Sequence, residues 1–555
     1  MKALLASLLA SIALPLSVAP AAAQEAALES TQPAAPAVPT TPSTPPKLII
    51  AISVDQFSAD LFAQYRNRFT DGFARLLQGA VFPSGYQSHA NTETCPGHST
   101  ILTGMRPAHT GIVANNWINQ KAPRADKEVY CAEDERIPGT DHSTYKPSDL
   151  HLKVPTLGEM MKAANPASRV VSVAGKDRAA IMMGGHKIDE VWFWGGKDFV
   201  SYDGRPVPPA VQRGREAVAK LIAQPQEPLP VPAFCRPLMQ PIEVGGQTIG
   251  NGRFARAAGD TRAFRASPAL DGAVFAIAAG LIQDMKLGQG SAPDIISIGA
   301  SATDYVGHGF GPGGGEMCLQ MAELDKTLGG FFAVLDSWGL DYQVVLTADH
   351  GGHDMTERQQ QRAMPGESRV SADLSVKAIG EAIGQQLGIA GPVLLGSEGD
   401  IYVADSVPAN RRQAVIAETV KRLRAFPQVA AVLTREEITA AAITATPPET
   451  WTLAQRAHAS YDPERSGDLL LMLKPRVVGI AKPGPGYVAT HGSPWDYDRR
   501  VPILFWRKGM VGFEQPQSIE TVDIAPTLAA TINLPVQGLD GRCLDLDSGP
   551  GDTCR

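Results

Sequence analysis

The sequence predicts an α/β protein whose mostly parallel sheet is sandwiched by helices and carries cap insertions. Short, almost continuous apolar runs recur along the chain, which is typical of strands buried on both faces. Patterns of helical period separate several of these runs, and such alternation favours a parallel sheet. Polar residues follow the runs, at the sheet edge where folds of this class keep their chemistry.

The N-terminal segment reads as a signal peptide over residues 1–23. Lys2 precedes an apolar stretch, and the small residues Ala21 to Ala23 offer a cleavage site before Gln24. Pro15 and Pro20 interrupt the stretch, which is also short for a membrane span. We therefore expect a secreted or periplasmic protein without a membrane anchor. Residues 24–46, rich in Ala, Pro and Thr, are predicted to be a linker.

Composition excludes some functions and leaves others open. The chain has 555 residues, 44% of them apolar, and a formal charge of -7. Because no basic stripe with interleaved aromatics occurs, nucleic acid is not expected as a specific partner. Six cysteines fit an oxidising compartment but do not reveal their pairing, although Cys543 and Cys554 are placed to staple the tail. No dimer-forming stripe is evident, so a monomer is the default expectation.

The predicted strands carry polar residues at or beyond their ends. The first, over 48–54, ends at Asp55, and a helix with apolar residues from Phe57 to Phe69 follows. Four later strands and one long helix are also predicted. These are strand 169–174 before Lys176 and Arg178, strand 294–298 before Asp304 and His308, helix 316–335, strand 343–347 before Asp349 and His350, and strand 501–506.

The predicted catalytic domain, residues 47–545, contains two insertions and is followed by a tail over 546–555. Residues 192–280 are rich in Gly, Pro and Arg without a clear pattern and are predicted to form a cap beside the site. Residues 363–459 include a strand at 399–403, a helix at 410–426 and a strand at 429–433, which indicates a small α+β subdomain.

The segment around Thr94 is a candidate anion site. Pro96 is well tolerated in the first turn of a helix, so a helix is predicted to begin here. A hydroxyl at a helix N-terminus lies beside free N–H groups that favour an anion such as phosphate. On its own the pattern more often marks an N-cap.

A second group of residues suggests metal ligands. Asp304 and His308 are four apart and share one side of a helical turn, whereas Asp349 and His350 are adjacent at a strand end. Nitrogen and carboxylate ligands without thiolates suit catalytic zinc. Taken singly, such residues are more often surface or capping groups. The candidate ligands are Asp55, Asp304, His308, Asp349, His350 and His491.

Together these motifs resemble the metal-binding framework of the alkaline phosphatase superfamily. The chain is most similar to its secreted bacterial phosphatases with a Thr nucleophile, the PafA and PhoK type, and the resemblance spans 47–543 in the family's order. Residues 521–528 also resemble the superfamily's C-terminal helix. The motifs that carry the resemblance are Asp55, the Thr94 segment, Lys176-x-Arg178, Asp304-x-x-x-His308, Asp349-His350-Gly351 and Thr490-His491-Gly492.

The resemblance implies two zinc ions and a set of phosphoryl contacts. One zinc ion would be held by Asp304, His308 and His491. The other would be held by Asp55, Asp349 and His350, and would also bind the oxygen of Thr94. Asn115 matches a phosphoryl-binding Asn, with Asn116 as a competitor for that role, and Lys176 and Arg178 match the pair that binds the other oxygens.

The implied reaction is hydrolysis of phosphate monoesters to inorganic phosphate through a phosphothreonine intermediate. Two cations in the pocket favour a monoester, because a diester replaces one charged oxygen with a bulky group. A phosphodiesterase or nucleotide pyrophosphatase of the same superfamily is the alternative, as is a non-catalytic protein that binds phosphate esters. A sulfatase is excluded, because Pro96 directly follows Cys95 and no Cys-x-Pro-x-Arg motif occurs.

Three further features stand outside this set. His98 is expected to pack inside the nucleophile helix, and His353 is equally consistent with the surface and with a place behind the ligands. The acidic tail from Asp540 to Asp552 offers oxygen ligands for calcium, although a solvated tail is the main expectation.

Overall fold

The computed structural model describes residues 44–397, 399–549 and 551–555. The predicted signal peptide and the linker up to residue 43 lie outside the described residues. Within those ranges no helix is both long enough and apolar enough to cross a membrane.

The strands have the following bounds. They are β1 (Leu48–Val54), β2 (Ala80–Tyr86), β3 (Asn116–Ile118), β4 (Glu128–Tyr130), β5 (Val170–Ala174), β6 (Glu190–Trp194), β7 (Phe199–Val200), β8 (Ile242–Val244), β9 (Gln247–Ile249), β10 (Asp294–Ala300), β11 (Tyr342–Thr347), β12 (Ser368–Arg369), β13 (Leu394–Ser397), β14 (Asp400–Val403), β15 (Val429–Thr434), β16 (Leu469–Leu473), β17 (Val477–Val478), β18 (Arg500–Arg507), β19 (Phe513–Glu514) and β20 (Ile519–Glu520).

The α-helices connect and cover these strands. They are α1 (Ala59–Tyr65), α2 (Gly72–Leu76), α3 (Thr94–Thr103), α4 (Pro107–Thr110), α5 (Leu157–Ala164), α6 (Asp177–Gly184), α7 (Pro209–Ile222), α8 (Thr261–Arg265), α9 (Pro268–Asp284), α10 (Ala302–Phe310), α11 (Gly315–Ser337), α12 (Thr356–Gln361), α13 (Val376–Leu387), α14 (Ala409–Arg424), α15 (Arg435–Thr439), α16 (Leu453–Ser460), α17 (Asp496–Arg499) and α18 (Ile524–Thr531).

A large mixed sheet forms the centre of the fold, as the sequence predicts. Its strand order is β19-β2-β18-β11-β1-β10-β5-β6-β7, with β20 also paired to β2. The five strands β11, β1, β10, β5 and β6 run parallel to one another. Their carboxyl ends therefore meet at one edge of the sheet.

The predicted strand at 501–506 is present but runs antiparallel to β11. The segment before it, which contains His491, lies at the carboxyl edge of the parallel strands and contacts α10 at His308. A strand that starts from this edge without a crossover helix can only run back across the sheet, antiparallel to its neighbour.

Strand β1 shows why the sheet is covered on both faces. All seven of its residues are buried. Alternate side chains enter different cores, because Ile50 and Ile52 pack in one cluster while Ile49 and Ala51 pack in the other. The first cluster includes α1, α9 and α11, and the second includes α3, α5, α6 and α18. This double burial explains the uninterrupted apolar run in the sequence.

The interval 192–280 is only partly a cap. Helix α9 packs on β5 and β10, and α7 packs on α9, so both belong to the helical layer of the main sheet. The hairpin β8–β9 lies nearer the site, where Gln247 donates a hydrogen bond to the Gly484 carbonyl at 2.9 Å. The sequence did not reveal these helices. Helix α9 is rich in Ala and apolar around much of its surface, so it lacks the amphipathic period by which helices are recognised.

The interval 363–459 contains most of a second, four-stranded sheet. Its order is β13-β14-β16-β15, and α13 and α14 pack against its apolar side chains. Strands β14 and β15 and helix α14 agree with the predicted strand, helix and strand. The sheet also includes β16, which lies beyond residue 459, because pairing across the sheet joins segments distant in sequence.

Three disulfides use all six cysteines. They join Cys95 to Cys131, Cys235 to Cys318 and Cys543 to Cys554. The last pair staples the C-terminal tail, as its position suggested. The first pair lies beside Thr94 and bears on the functional site.

Candidate active site

The candidate ligands converge at the carboxyl edge of three adjacent parallel strands. Asp55 follows β1, Asp304 and His308 lie on α10 after β10, and Asp349 and His350 follow β11. Asp55, Asp349 and His350 are fully buried, and Asp304 nearly so. Buried strands therefore fix these side chains from behind.

Asp304, His308 and His491 form a first group of donor atoms that all lie within 4.8 Å of one another. Asp304 Oδ1 is 3.3 Å from His308 Nε2 and 3.4 Å from His491 Nε2. The four-residue spacing on α10 puts Asp304 and His308 on one side of the helix, as the sequence predicts.

A second group, with the same 4.8 Å limit, consists of Asp55, Asp304 and His350. Asp304 thus lies between the two groups. Asp349, which the resemblance implies as a ligand here, lies at the edge of the cluster, with Oδ2 at 3.3 Å from His350 Nε2. Its Oδ1 accepts hydrogen bonds from the backbone N–H groups of Gln56 and His350, so one carboxylate oxygen is engaged.

Backbone carbonyls orient all three histidines. The Nδ1 atoms donate to the carbonyls of Ala489 for His308 (2.8 Å), Gly351 for His350 (2.8 Å) and Thr92 for His491 (2.9 Å). A carbonyl only accepts, so Nδ1 carries the proton and the Nε2 lone pair faces the carboxylates. Burial lowers the pKa of His350 to about 3, which keeps that ring neutral and able to bind a metal ion.

This donor set fits divalent cations. Asp55 Oδ1 is buried and has no hydrogen-bond partner among the described residues. Burial and the neighbouring Asp349 raise the pKa of Asp55 well above its usual range. Buried carboxylates this close together need positive charge between them, and carboxylate oxygen with imidazole nitrogen is a zinc-type donor set.

Thr94 lies over this cluster rather than capping a helix. It is the first residue of α3, and Glu93 holds the N-cap position. Its Oγ1 is 3.5 Å from His350 Nε2 and 3.4 Å from Lys176 Nζ. The helix reaches this position because Gly97 has no side chain: a Cβ there would lie 2.0 Å from the Asp349 carbonyl oxygen. A larger residue would therefore push Thr94 away from the ligands.

Lys176 and Arg178 lie at the start of α6 and differ in their surroundings. Lys176 is buried, with Nζ at 2.5 Å from Asp304 Oδ2 and 2.7 Å from Asp55 Oδ2. In this structure it therefore neutralises the candidate ligands as well as facing Thr94. Arg178 donates from Nη1 to the hydroxyl of Tyr130 at 3.2 Å, and Tyr130 in turn donates to Asp177 at 2.9 Å.

Asn115 and Asn116 have different partners. Asn115 Oδ1 accepts the backbone N–H of Cys95 at 2.8 Å, which leaves its amide N–H groups as donors beside Thr94. Asn116 lies in β3 and donates to Glu128 at 2.8 Å. The structure therefore favours Asn115 over its competitor as a contact for a phosphoryl oxygen.

Sequence reasoning missed Gln56, whereas His98 packs inside the nucleophile helix as expected. Gln56 adopts a positive φ of 65° and donates from Nε2 to Asp304 Oδ1 at 3.1 Å. Backbone strain of this kind clusters at functional sites, but no local sequence pattern signals it. His98 donates to the Thr94 carbonyl at 2.8 Å and lies 3.1 Å from Asp349 Oδ2. Its spacing of four from Thr94 was the available signal.

The remaining candidates lie away from the ligand cluster. His353 Nε2 pairs with Glu367 at 2.9 Å, and its ring packs on Tyr497. In the tail, Asp545 accepts the backbone N–H groups of Asp547 and Thr553, and Asp552 accepts that of Cys554. These contacts leave the calcium prediction untested.

Comparison with known proteins agrees with this geometry. Residues 49–494 match the type I phosphodiesterase / nucleotide pyrophosphatase family. The chain is 57% identical over 517 residues to alkaline phosphatase PhoK from a Sphingomonas species, covering 92% of each chain. It is 48% identical over 518 residues to alkaline phosphatase PhoD of Zymomonas mobilis, covering 92% of this chain and 89% of the relative. The crystal structure of wild-type alkaline phosphatase PafA superposes with a TM-score of 0.79 at 25% identity, covering 91% of this chain and 99% of PafA.

Proposed function

We propose that this chain, which belongs to the alkaline phosphatase superfamily of PafA and PhoK type and is a phosphate monoester hydrolase, works as a secreted zinc enzyme with Thr94 as its nucleophile. The observation that carries the proposal is the position of the Thr94 hydroxyl, which lies 3.5 Å from His350 Nε2, above two groups of donor atoms that share Asp304. Because Glu93 holds the N-cap position, the Thr94 hydroxyl makes no capping hydrogen bond that it would have to break before reacting.

The reaction proceeds in two displacements at phosphorus. Thr94 Oγ1 attacks in line, forms a bond to phosphorus and gives its proton to solvent hydroxide, while the bond from phosphorus to the alcohol oxygen breaks. The alcohol leaves after taking a proton from water. Water then attacks the phosphothreonine, which releases inorganic phosphate and returns a proton to Thr94 Oγ1.

Metal ions would be held by the two donor groups. The first site would use Asp304, His308 and His491, and the second would use Asp55, His350 and the nearby Asp349. When bound, two zinc ions supply Lewis acidity that favours the alkoxide of Thr94 and neutralises charge on the leaving oxygen. The Nδ1–H bonds to backbone carbonyls keep the imidazole rings oriented for this task.

The phosphoryl oxygens are assigned to Asn115, Lys176 and Arg178. Phosphoryl transfer depends mainly on positioning and on neutralising the equatorial oxygens. Arg178 can bind two oxygens in a fork, whereas Lys176, whose Nζ lies 3.4 Å from Thr94 Oγ1, acts as a point charge. Asn115 adds a neutral N–H donor.

The family match includes phosphodiesterases, so substrate class needs a direct test. Purified protein with added zinc at alkaline pH is assayed with p-nitrophenyl phosphate and with bis-p-nitrophenyl phosphate. A kcat/KM higher for the monoester by at least about 100-fold is expected, because Lys176 and Arg178 interact with charged oxygens that the diester lacks. A preference for the diester would keep Thr94 and the metal ligands but assign the chain to a phosphodiesterase role.

Secretion is part of the proposal. The three disulfides fit an oxidising compartment, and the predicted signal peptide at 1–23 would direct export before a catalytic domain at 47–545. Mass spectrometry of the protein from a native extracellular or periplasmic fraction would locate its N-terminus. A chain that retains Met1 in the cytoplasm would contradict export.

A further inference from the structure

A cavity of about 320 Å³ opens beside the candidate ligands. One wall is the loop that carries His491, together with Glu93 and Asp498. The opposite wall comes from the second sheet and its neighbours, where Leu374 and Leu471 line the space. Its size falls at the lower end of the range for small-molecule sites, about 300–1,000 Å³.

The cavity lies on the side where the leaving group must go. Thr94 contacts His350, which belongs to the group with Asp55. In-line attack places the leaving oxygen on the far side of phosphorus from Thr94, and therefore toward the other group, which contains His491. Since His491 also lines the cavity, the carbon skeleton attached to the leaving oxygen would extend into this space.

The walls of the cavity differ in chemistry. One side presents an apolar surface that includes Leu374 from the insertion and Leu471 and Val478 from the chain that follows it. The catalytic side contributes Asp498, which is 1% exposed. Asp498 Oδ2 accepts the backbone N–H of Ser493 at 2.8 Å, but Oδ1 has no hydrogen-bond partner among the described residues. A buried carboxylate oxygen without a partner is costly unless a ligand donates to it.

We infer that this cavity binds the alcohol part of the substrate, and that it selects monoesters whose alcohol has an apolar face and a hydroxyl donor for Asp498. The inference rests on the proposed phosphatase function and adds a substrate class to it. It also gives the second sheet a role, because Leu471 of that sheet forms part of the apolar wall. Small esters without such a group would react through the phosphoryl contacts alone.

The apolar wall is tested with Leu374→Trp and a matched control, Leu387→Trp. Both leucines are half-buried and pack on the same apolar cluster, but only Leu374 lines the cavity. For each protein, kcat/KM is measured with 1-naphthyl phosphate and with methyl phosphate. Leu374→Trp should lower the naphthyl-to-methyl ratio of kcat/KM about tenfold, which is comparable to losing the burial of about two methylene groups. The control should keep the wild-type ratio.

An unchanged ratio in Leu374→Trp, with the protein folded by circular dichroism, would overturn the assignment. An equal fall for the two variants would do the same, since it would indicate a general effect on the subdomain. Failure of the proposed phosphatase function is distinguishable from failure of the cavity assignment. In that case the wild-type protein would hydrolyse neither ester in the presence of zinc.

The polar wall is tested with Asp498→Asn and a pair of esters that differ only in hydroxyl groups, glycerol 2-phosphate and isopropyl phosphate. Wild type should prefer glycerol 2-phosphate after correction for intrinsic reactivity. In the variant the amide oxygen is needed by Ser493 N–H, so an NH2 group replaces the acceptor. The preference should fall about fivefold, as expected when a charge-assisted hydrogen bond is lost. An identical preference in both proteins would remove Asp498 from substrate selection.

Discussion

The proposed metal-ligand half and the proposed phosphoryl-binding half of the site are held in place by partly different means. Asp55 and Asp349 directly follow buried parallel strands, so the main core fixes them. Asn115, Lys176 and Arg178 instead lie in a loop and at the start of a short helix. Helix α6 is itself buried in the second core and supports Lys176 and Arg178, whereas the loop that holds Asn115 needs other restraints.

The Cys95–Cys131 disulfide supplies that restraint. The backbone N–H of Cys95 donates to Asn115 Oδ1 at 2.8 Å, and that of Cys131 donates to the Asn115 carbonyl at 2.9 Å. Tyr130, the neighbour of Cys131, accepts from Arg178. One crosslink thus connects the nucleophile helix with two phosphoryl-binding residues. The comparison teaches that strand ends position ligands by burial, whereas loops rely on covalent and hydrogen-bonded ties.

The largest effect is expected at Thr94, where the two halves meet. Thr94→Ala should reduce kcat on the order of 10⁴-fold, because removing a nucleophile removes the covalent route. Thr94→Ser should keep measurable activity, since a hydroxyl remains. Kinetics with p-nitrophenyl phosphate measure both, and an unchanged melting temperature shows an intact fold. Near-normal turnover by the Ala variant would exclude Thr94 as the nucleophile.

Breaking the metal-ligand half at one residue should empty one of the two proposed metal sites and leave the phosphoryl half intact. His491→Ala is expected to lose about one zinc ion per chain and to lower kcat/KM by on the order of 10³-fold, since a charge-stabilising metal ion is weakened. Metal analysis and kinetics are the readouts, and His109→Ala serves as the control because His109 pairs with Asp540 outside the cluster and does not line the cavity beside it. Wild type should lose activity on chelation and regain it with zinc; activity that survives exhaustive chelation would contradict the metal assignment.

Breaking the phosphoryl half should change substrate selectivity instead. Lys176→Ala combined with Arg178→Ala should lower monoester kcat/KM by about 10²–10³-fold, the usual cost of removing charge-stabilising donors. Diester hydrolysis should fall much less, because a diester has one charged oxygen fewer. The ratio of the two kcat/KM values is the readout, and equal losses would refute this explanation of selectivity.

Removing the disulfide should loosen only the phosphoryl half. Cys95→Ser with Cys131→Ser is expected to weaken inhibition by inorganic phosphate about tenfold, because Asn115 and Arg178 lose a shared restraint. Zinc content should stay at the wild-type value. Cys543→Ser with Cys554→Ser removes a disulfide from the tail and is the matched control. A loss of zinc equal to the loss of phosphate affinity would show that the halves are not separately held.

The smallest effect is expected at Tyr130. Tyr130→Phe removes one hydrogen bond to Arg178 and one to Asp177. Monoester KM should rise about fivefold, as for the loss of a single buried hydrogen bond near 1 kcal/mol, with little change in diester KM. If Lys176→Ala, Arg178→Ala and Tyr130→Phe are combined, the added Phe should have no further effect. An additional loss would indicate that Tyr130 acts elsewhere.

Much of the candidate site could be predicted from the sequence, because its residues follow strands and helices that have recognisable local patterns. The apolar run before Asp55 and the spacing of Asp304 and His308 are local patterns, and local patterns determine strands and helical turns. The helix predicted to begin in the Thr94 segment does begin there, with Thr94 itself as the first helical residue. Because Glu93 holds the N-cap position, the Thr94 hydroxyl is free of a capping role.

Other features could be found only in three dimensions. The direction of β18, the membership of β16 in the second sheet and the pairing of the cysteines all depend on contacts between distant segments. The place of Asp304 between both ligand groups, and the tie from Tyr130 to Arg178, depend on such contacts as well. Periodicity and residue type are local properties of the chain, so the sequence determined the elements and the chemistry at their ends. Packing of the two cores decided which ends meet, because burial energy depends on contacts that no local pattern encodes.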